Sequence, residues 1–429
     1  MSIRYLIIAL FLVGFATTYE INEKEVERII KTLSSDEMGG RSLHSEGIKK
    51  AADFIANEFK TIGLSPFEKN TSFLQNFTMS STKVIVKEVV VNGKKVGQKN
   101  YFFKLSNEIN WTKENKPQLF FIAASDDFRE KAGEALGGSS DYLVIVDEVH
   151  KSMFRRYQSH FSSPVMGFQS QDDAGVNLGF MLINATEIES LTVKANPKGD
   201  KQTLTNVVGV IPGKRSNEIV LFSAHYDHLG VKNNAEGDSI YNGANDDASG
   251  VTAVIELARY FKSKGKPERT LVFTAFTAEE VGGYGSKYFS KQMNPDEIMA
   301  MFNIEMIGKE SKEGLNSAWM TGWDKSNLGN ILQENLGKVN FKFFADPYPK
   351  QQLFYRSDNA TLARLGVPAH SISTTQIDID KDYHQLSDEV ETLDITNITN
   401  TIKAIAIGSQ GIINGVQTPT RVDPTQVRN

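Results

Sequence analysis

The chain of 429 residues contains no cysteine. Disulfides, thiolate metal sites and a cysteine nucleophile are therefore excluded, and any metal site must use nitrogen and oxygen donors. Histidine is scarce too, at seven residues, so most donors in such a site would be carboxylates. Positive charge is not in surplus: 47 lysines and arginines against 52 acids leave a formal net charge of -5. That balance argues against nucleic acid as a partner. With 40% hydrophobic and 23% charged residues, the composition is that of a globular protein, not a disordered or polytopic membrane chain. At about 150 residues per domain, the length suggests two or three domains.

Long apolar runs are missing after the N-terminus. The one that exists is YLIIALFLVGFA, Tyr5–Ala16, behind a single charge at Arg4. With small Gly14 and Ala16 at the -3 and -1 positions, residues 1–16 resemble a secretory signal peptide. A buried N-terminal helix or strand is the alternative. Export would place the protein in a periplasmic or extracellular compartment. The run is short of the roughly 20 residues needed to span a bilayer, so no stable membrane anchor is expected.

Residues 17–69 read as N-terminal helices. Ile48, Ala51, Ala52, Ile55, Phe59 and Ile62 recur at helical spacing, with Gly63 as the stop. Residues 70–200 read as a β-rich insert, with a strand over Lys83–Val91 ahead of the hairpin signal Asn92-Gly93. From 201 to 416, apolar strands alternate with helices, and 417–429 form a tail. Strands are expected at Ile219–Ala224, Thr270–Phe276 and Met299–Ile304, and helices at Gly250–Phe261, Tyr284–Lys291, Leu328–Leu336, Asn359–Leu365 and Ile398–Ile413. Such alternation implies an α/β layer fold whose sites lie beyond the carboxyl ends of the strands.

The polar residues at those ends form a set. His225 leaves the first strand in His225-Tyr226-Asp227-His228-Leu229-Gly230, where Asp227 can take the second ring N–H and fix the tautomer. Asp246 and Asp247 precede a helix, a place where acids also serve as ordinary caps. Glu279 and Glu280 follow the next strand, and paired buried carboxylates need positive charge nearby. Glu305 lies between Ile304 and Met306, and His384 sits in a polar loop. Singly, each has a bland explanation. Together, the five strongest candidates, His225, Asp246, Glu280, Glu305 and His384, suit two zinc ions about 3.5–4 Å apart, bridged by one aspartate.

The motifs HYDHLG, ANDDASG, TAEEVGG, NIEMIG and DYH resemble those of peptidase family M28, the co-catalytic zinc aminopeptidases. The resemblance implies a three-layer α/β/α sandwich around a mixed, largely parallel sheet, and it likens the insert by position to a protease-associated domain. It implies one Zn2+ held by Asp246, Glu280 and His384 and a second held by His225, Asp246 and Glu305. Asp227 would orient His225, Asp247 would support the bridge, and Glu279 would be the general base for hydrolysing N-terminal residues from peptide substrates. One departure concerns Glu305, since the family usually has aspartate there. Tyr355 and Arg356 could contact substrate, at the oxyanion and at a carboxylate respectively, or simply pack their loop. Related activities on this scaffold are carboxypeptidase or dipeptidase action, glutaminyl cyclisation and non-catalytic binding.

Overall fold

In the strand Arg215–His225, Val220, Phe222 and Ala224 enter one hydrophobic cluster while Ile219 and Leu221 enter another. Alternate side chains of a strand point to opposite faces, so a sheet covered on both faces needs a continuous apolar run rather than alternation. The computed structural model describes residues 18–427 apart from 44, 68–69, 163–164, 169–174 and 234–235. The expected signal segment, 1–16, lies outside the described residues.

Among the described residues two compact units are present, one formed by those up to Asn76 and from Leu204 onward, the other by those within Phe77–Thr203. In the first, the strands run in the order Lys342–Ala345, Ser317–Met320, Ala369–Ser373, Ile298–Ile304, Arg215–His225, Arg269–Phe276, and then residues 207–211. The pairs from Ala369–Ser373 to Arg269–Phe276 are parallel, while Ser317–Met320 and residues 207–211 join antiparallel, giving a mixed, largely parallel sheet. One face carries the helices Glu23–Leu33, Glu46–Ile62, Ser249–Ser263, Leu328–Leu336 and Ile395–Gly408. The other carries Tyr284–Gln292 and Asn359–Ala363. This is the three-layer α/β/α arrangement. Phe222 stacks on Phe302, Phe273 and Phe261 at 5.1, 5.4 and 5.7 Å, joining three strands to a helix at the centre of the first face.

Local signals carry through. Helix Glu46–Ile62 is capped by the Ser45 side chain and ends at Gly63, whose φ of 82° is the left-handed conformation glycine tolerates. Three strands carried no strong sequence signal: Ser317–Met320, Lys342–Ala345 and Ala369–Ser373 are four or five residues long and interrupted by polar side chains. The segment expected as one helix over Ile398–Ile413 is two, Ile395–Gly408 and Gln410–Ile413.

The second unit holds a four-stranded sheet in the order Tyr101–Lys104, Leu178–Leu182, Tyr142–Val146, Gln118–Ile122. It also contains the helices Phe128–Leu136 and Lys151–Ser162, which the β-rich reading did not include. Their apolar faces are short and their sequences strongly charged, so periodicity alone did not separate them from loops.

Beneath the sheet's carboxyl edge, buried His370 donates from Nδ1 to the Thr321 carbonyl at 2.8 Å, while Nε2 lies 2.7 Å from the Ser326 hydroxyl. A carbonyl only accepts, so Nδ1 carries a proton. Burial pushes its pKa down to about 4. The unfolded chain therefore binds the extra proton, and this stability is present above about pH 6.5 and lost as pH falls through 4. Thermal melts between pH 7 and pH 4.5 should include a loss of about 2 kcal/mol from this group. That slope should flatten in His370→Gln, and an unchanged slope in the variant would disprove the assignment.

Candidate metal centre

All the expected donors stand at one edge of the first unit's sheet. His225 is the last residue of its strand, Glu279 and Glu280 follow Arg269–Phe276, and Glu305 follows Ile298–Ile304. Asp246 lies in the irregular turn Ala244–Ala248 ahead of helix Ser249–Ser263, where the Asp246-Asp247 peptide is cis. His384 comes from the loop after Ala369–Ser373 and has a φ of 57°. Ala278 and Met306, beside Glu279 and Glu305, also have positive φ, at 61° and 55°. Such backbone costs of order 1–3 kcal/mol per residue and persists only where surrounding contacts enforce it. Gly243 is required: a Cβ there would strike the Asp246 carbonyl and the His228 ring.

The geometry centres on Asp246. One of its carboxylate oxygens lies 3.2 Å from His225 Nε2, and the other lies 3.2 Å from His384 Nε2. His384 Nε2 is also 3.3 Å from Glu280 Oε2. Two donors about 2.1 Å from one tetrahedral ion stand about 3.4 Å apart. The spacing and the nitrogen–oxygen donor set therefore fit zinc. Glu305 accepts from Ser357 and lies in the field of Asp246, Glu280 and His225, lining the same cavity.

Electrostatics follow from this crowding. Burial resists ionisation of Asp246, but hydrogen bonds to His225 and His384 hold its carboxyl well below the usual range. Those two carboxylate contacts, to Asp246 and Glu280, raise His384 to about 10. Burial opposes charging of His225, yet Asp246, Glu279 and Asp247 raise it well above an ordinary imidazole. The imidazolium protons thus balance the acids, and a cation binding here must displace them. Glu279 has no such partner. Burial first, then repulsion from Glu305, Asp358 and Glu280, lifts it well above the usual carboxyl value despite the attraction of His225.

A ring of further groups fixes these side chains. Asp247 accepts from the backbone N–H of His225 at 3.3 Å and from those of Gly250 and Met306 at 3.0 Å, joining three segments. Asp227 acts differently from its expected role. His225 Nδ1 faces the Asp227 backbone carbonyl at 3.1 Å, with the carboxylate farther away at 3.9 Å. That carboxylate accepts instead from the N–H groups of Glu279 and Glu280, at 3.1 and 3.3 Å. Sequence reading had given no role to His228, whose Nδ1 holds Glu280 Oε1 at 2.7 Å, or to Asp388, which accepts from Asn245 and Asp246 N–H. The second histidine of HYDH was the available signal for His228.

A cavity of about 320 Å³ opens on Asp246, Glu279, Glu280, Glu305 and His384, with Trp319, Leu353 and Ile377 on its apolar side. Tyr383 lines it, its ring stacked on His384 at 4.0 Å. Tyr355 is not part of the lining; it packs on Phe354, and its hydroxyl faces the Gln426 carbonyl at 3.5 Å. Arg356 does line the cavity.

Residues 206–407, just under half of the chain, match the family model for peptidase family M28. Aminopeptidase YwaD of Bacillus subtilis is 25% identical over 234 residues, covering 52% of this chain and 44% of that protein. A probable zinc metalloprotease of Pyricularia oryzae is 42% identical over 112 residues, 25% of this chain and 22% of that one. The chain thus spans less than half the length of these relatives. Among solved structures, an aminopeptidase from Aneurinibacillus sp. strain AM-1 superposes with a TM-score of 0.54 at 19% identity, covering 96% of this chain and 97% of that one. The zinc aminopeptidase BSAP from Bacillus subtilis gives 0.56 at 17% identity, covering 92% and 95%. These establish the same fold.

Saturating the protein with zinc at a hundred times its dissociation constant should stabilise it by about 2.7 kcal/mol, read as a rise in melting temperature. Asp246→Asn should abolish that rise. His228→Ala should keep it but weaken affinity about 10–100-fold, as loss of an outer-shell partner does.

Proposed function

We propose that the protein is a two-zinc exopeptidase that removes N-terminal residues from peptides. The observation carrying this reading is the single carboxylate of Asp246 presented to two imidazoles, with Glu279 on the same cavity. Asp246, Glu280 and His384 would hold one ion; His225, Asp246 and Glu305 would hold the other. When bound, the ions supply Lewis acidity that acidifies the attacking water and polarises the scissile carbonyl.

Glu279 then takes the proton of that water and returns it to the leaving amine. Asp227 fixes the backbone of Glu279 and Glu280 together, so base and ligand keep one spacing. The Tyr383 hydroxyl is available to donate to the developing oxyanion, the role earlier considered for Tyr355. A protonated α-amine is attracted to the acids lining the cavity, and relatives carrying the aminopeptidase name support the same choice. Export through the segment 1–16 is part of the proposal and rests on its sequence alone.

With aminoacyl p-nitroanilides, Glu279→Gln should retain zinc and fold while losing about 10²–10⁴-fold in kcat. Near-normal turnover in that variant would sink the mechanism. Arg356 on the cavity favours one rival, cleavage next to a free carboxylate. N-acetylated and C-amidated peptides decide between them: the aminopeptidase reading requires that only N-acetylation blocks cleavage.

A further inference from the structure

Among the described residues, Arg41 is one of the largest fully buried side chains, at 0% exposure, and it comes from the N-terminal segment rather than from the segment 206–407. A guanidinium has five N–H donors. Here all five are used on backbone carbonyls: Nε on Tyr226, Nη1 on Leu33 and Asn242, and Nη2 on Gly243 and Asp246, at 2.5 to 3.3 Å. No donor is spent on a carboxylate. The Arg41 carbonyl in turn accepts from the N–H of His228 at 3.2 Å.

These contacts select two loops. Tyr226 and His228 follow the ligand His225, and residues 242–246 end at the bridging Asp246. The His225–Asp246 donor distance depends on holding the loops together, and the Arg41 side chain bonds to both. Its seat is rigid. Arg41 has a φ of 51°, and a Cβ on preceding Gly40 would run into the carbonyls of Gly230 and Tyr241. Asp36, at the start of the same short helix Asp36–Arg41, accepts from Asn242 at 3.0 Å.

We infer that Arg41 is a positioning residue for the metal centre, a five-point clamp through which the N-terminal segment sets the separation of His225 and Asp246. The inference rests on the zinc reading above. Lysine keeps the charge but offers three donors without the planar fork, so it cannot span both loops.

The test pairs Arg41→Lys with Arg269→Lys. Arg269 is another buried arginine, at the far end of its strand, bonded to Glu218, Thr418 and the carbonyls of Ile412 and Gln417. Both variants should lower the melting temperature of the zinc-free protein. Only Arg41→Lys should weaken zinc binding, measured by chelator competition, by about tenfold or more, and lower kcat with little change in KM. Equal zinc affinity in the two variants would overturn the inference. Failure of the wild-type protein itself to bind zinc would instead remove the metal reading. Should Arg41→Lys not fold, hydrogen exchange of the wild-type protein serves. Zinc should slow exchange across residues 36–42, which carry no ligand, and unchanged exchange there would equally overturn it.

Discussion

The structure is organised around the cost of placing several carboxylates in one buried pocket. Asp246, Glu279, Glu280 and Glu305 share a cavity wall, and like charges at this range repel strongly once water is excluded. The carboxylate of Asp246 relieves part of that repulsion by facing His225 with one oxygen and His384 with the other. Every neighbouring loop is shaped to make that contact possible. Asp388 holds the Asp246 backbone, Asp247 joins the ends of two strands to a helix, and His228 turns Glu280 toward His384.

This explains why backbone strain collects here. Ala278, Met306 and His384 take left-handed backbone conformations next to Glu279, next to Glu305 and at a donor itself. The sheet below is in contrast largely apolar, with Phe222 among three aromatic neighbours and a hydroxyl–amide network of Ser223, Asn303, Ser371 and Ser357. That network ends at Ser357, which donates to Glu305. The packed sheet supplies rigidity, and the loops spend part of it on holding donors in strained positions.

Much of the fold was legible because the central strands are buried on both faces. IVLFSA and TLVFTAF read as continuous apolar runs bounded by polar turns, and helix Glu46–Ile62 shows both its periodicity and its glycine stop. The short strands Ser317–Met320 and Lys342–Ala345 and the helices of the inserted unit were less legible. Their patterns are short, and tertiary packing rather than local preference fixes them.

The sequence by itself determined the chemistry of the site. Without cysteine and with few histidines, a metal centre here had to be built from carboxylates and imidazoles, and the motifs placed them at successive strand ends. Tertiary structure alone decided which atom each group presents. It gave Asp227 to the backbone of the glutamate pair, Tyr383 rather than Tyr355 to the cavity, and Arg41 to the loops bearing His225 and Asp246. The reason is that a residue's type and its place along the chain fix which donors and acceptors are available. Which of them meet depends on loops brought together from distant parts of the chain, where a shift of one ångström changes the partner.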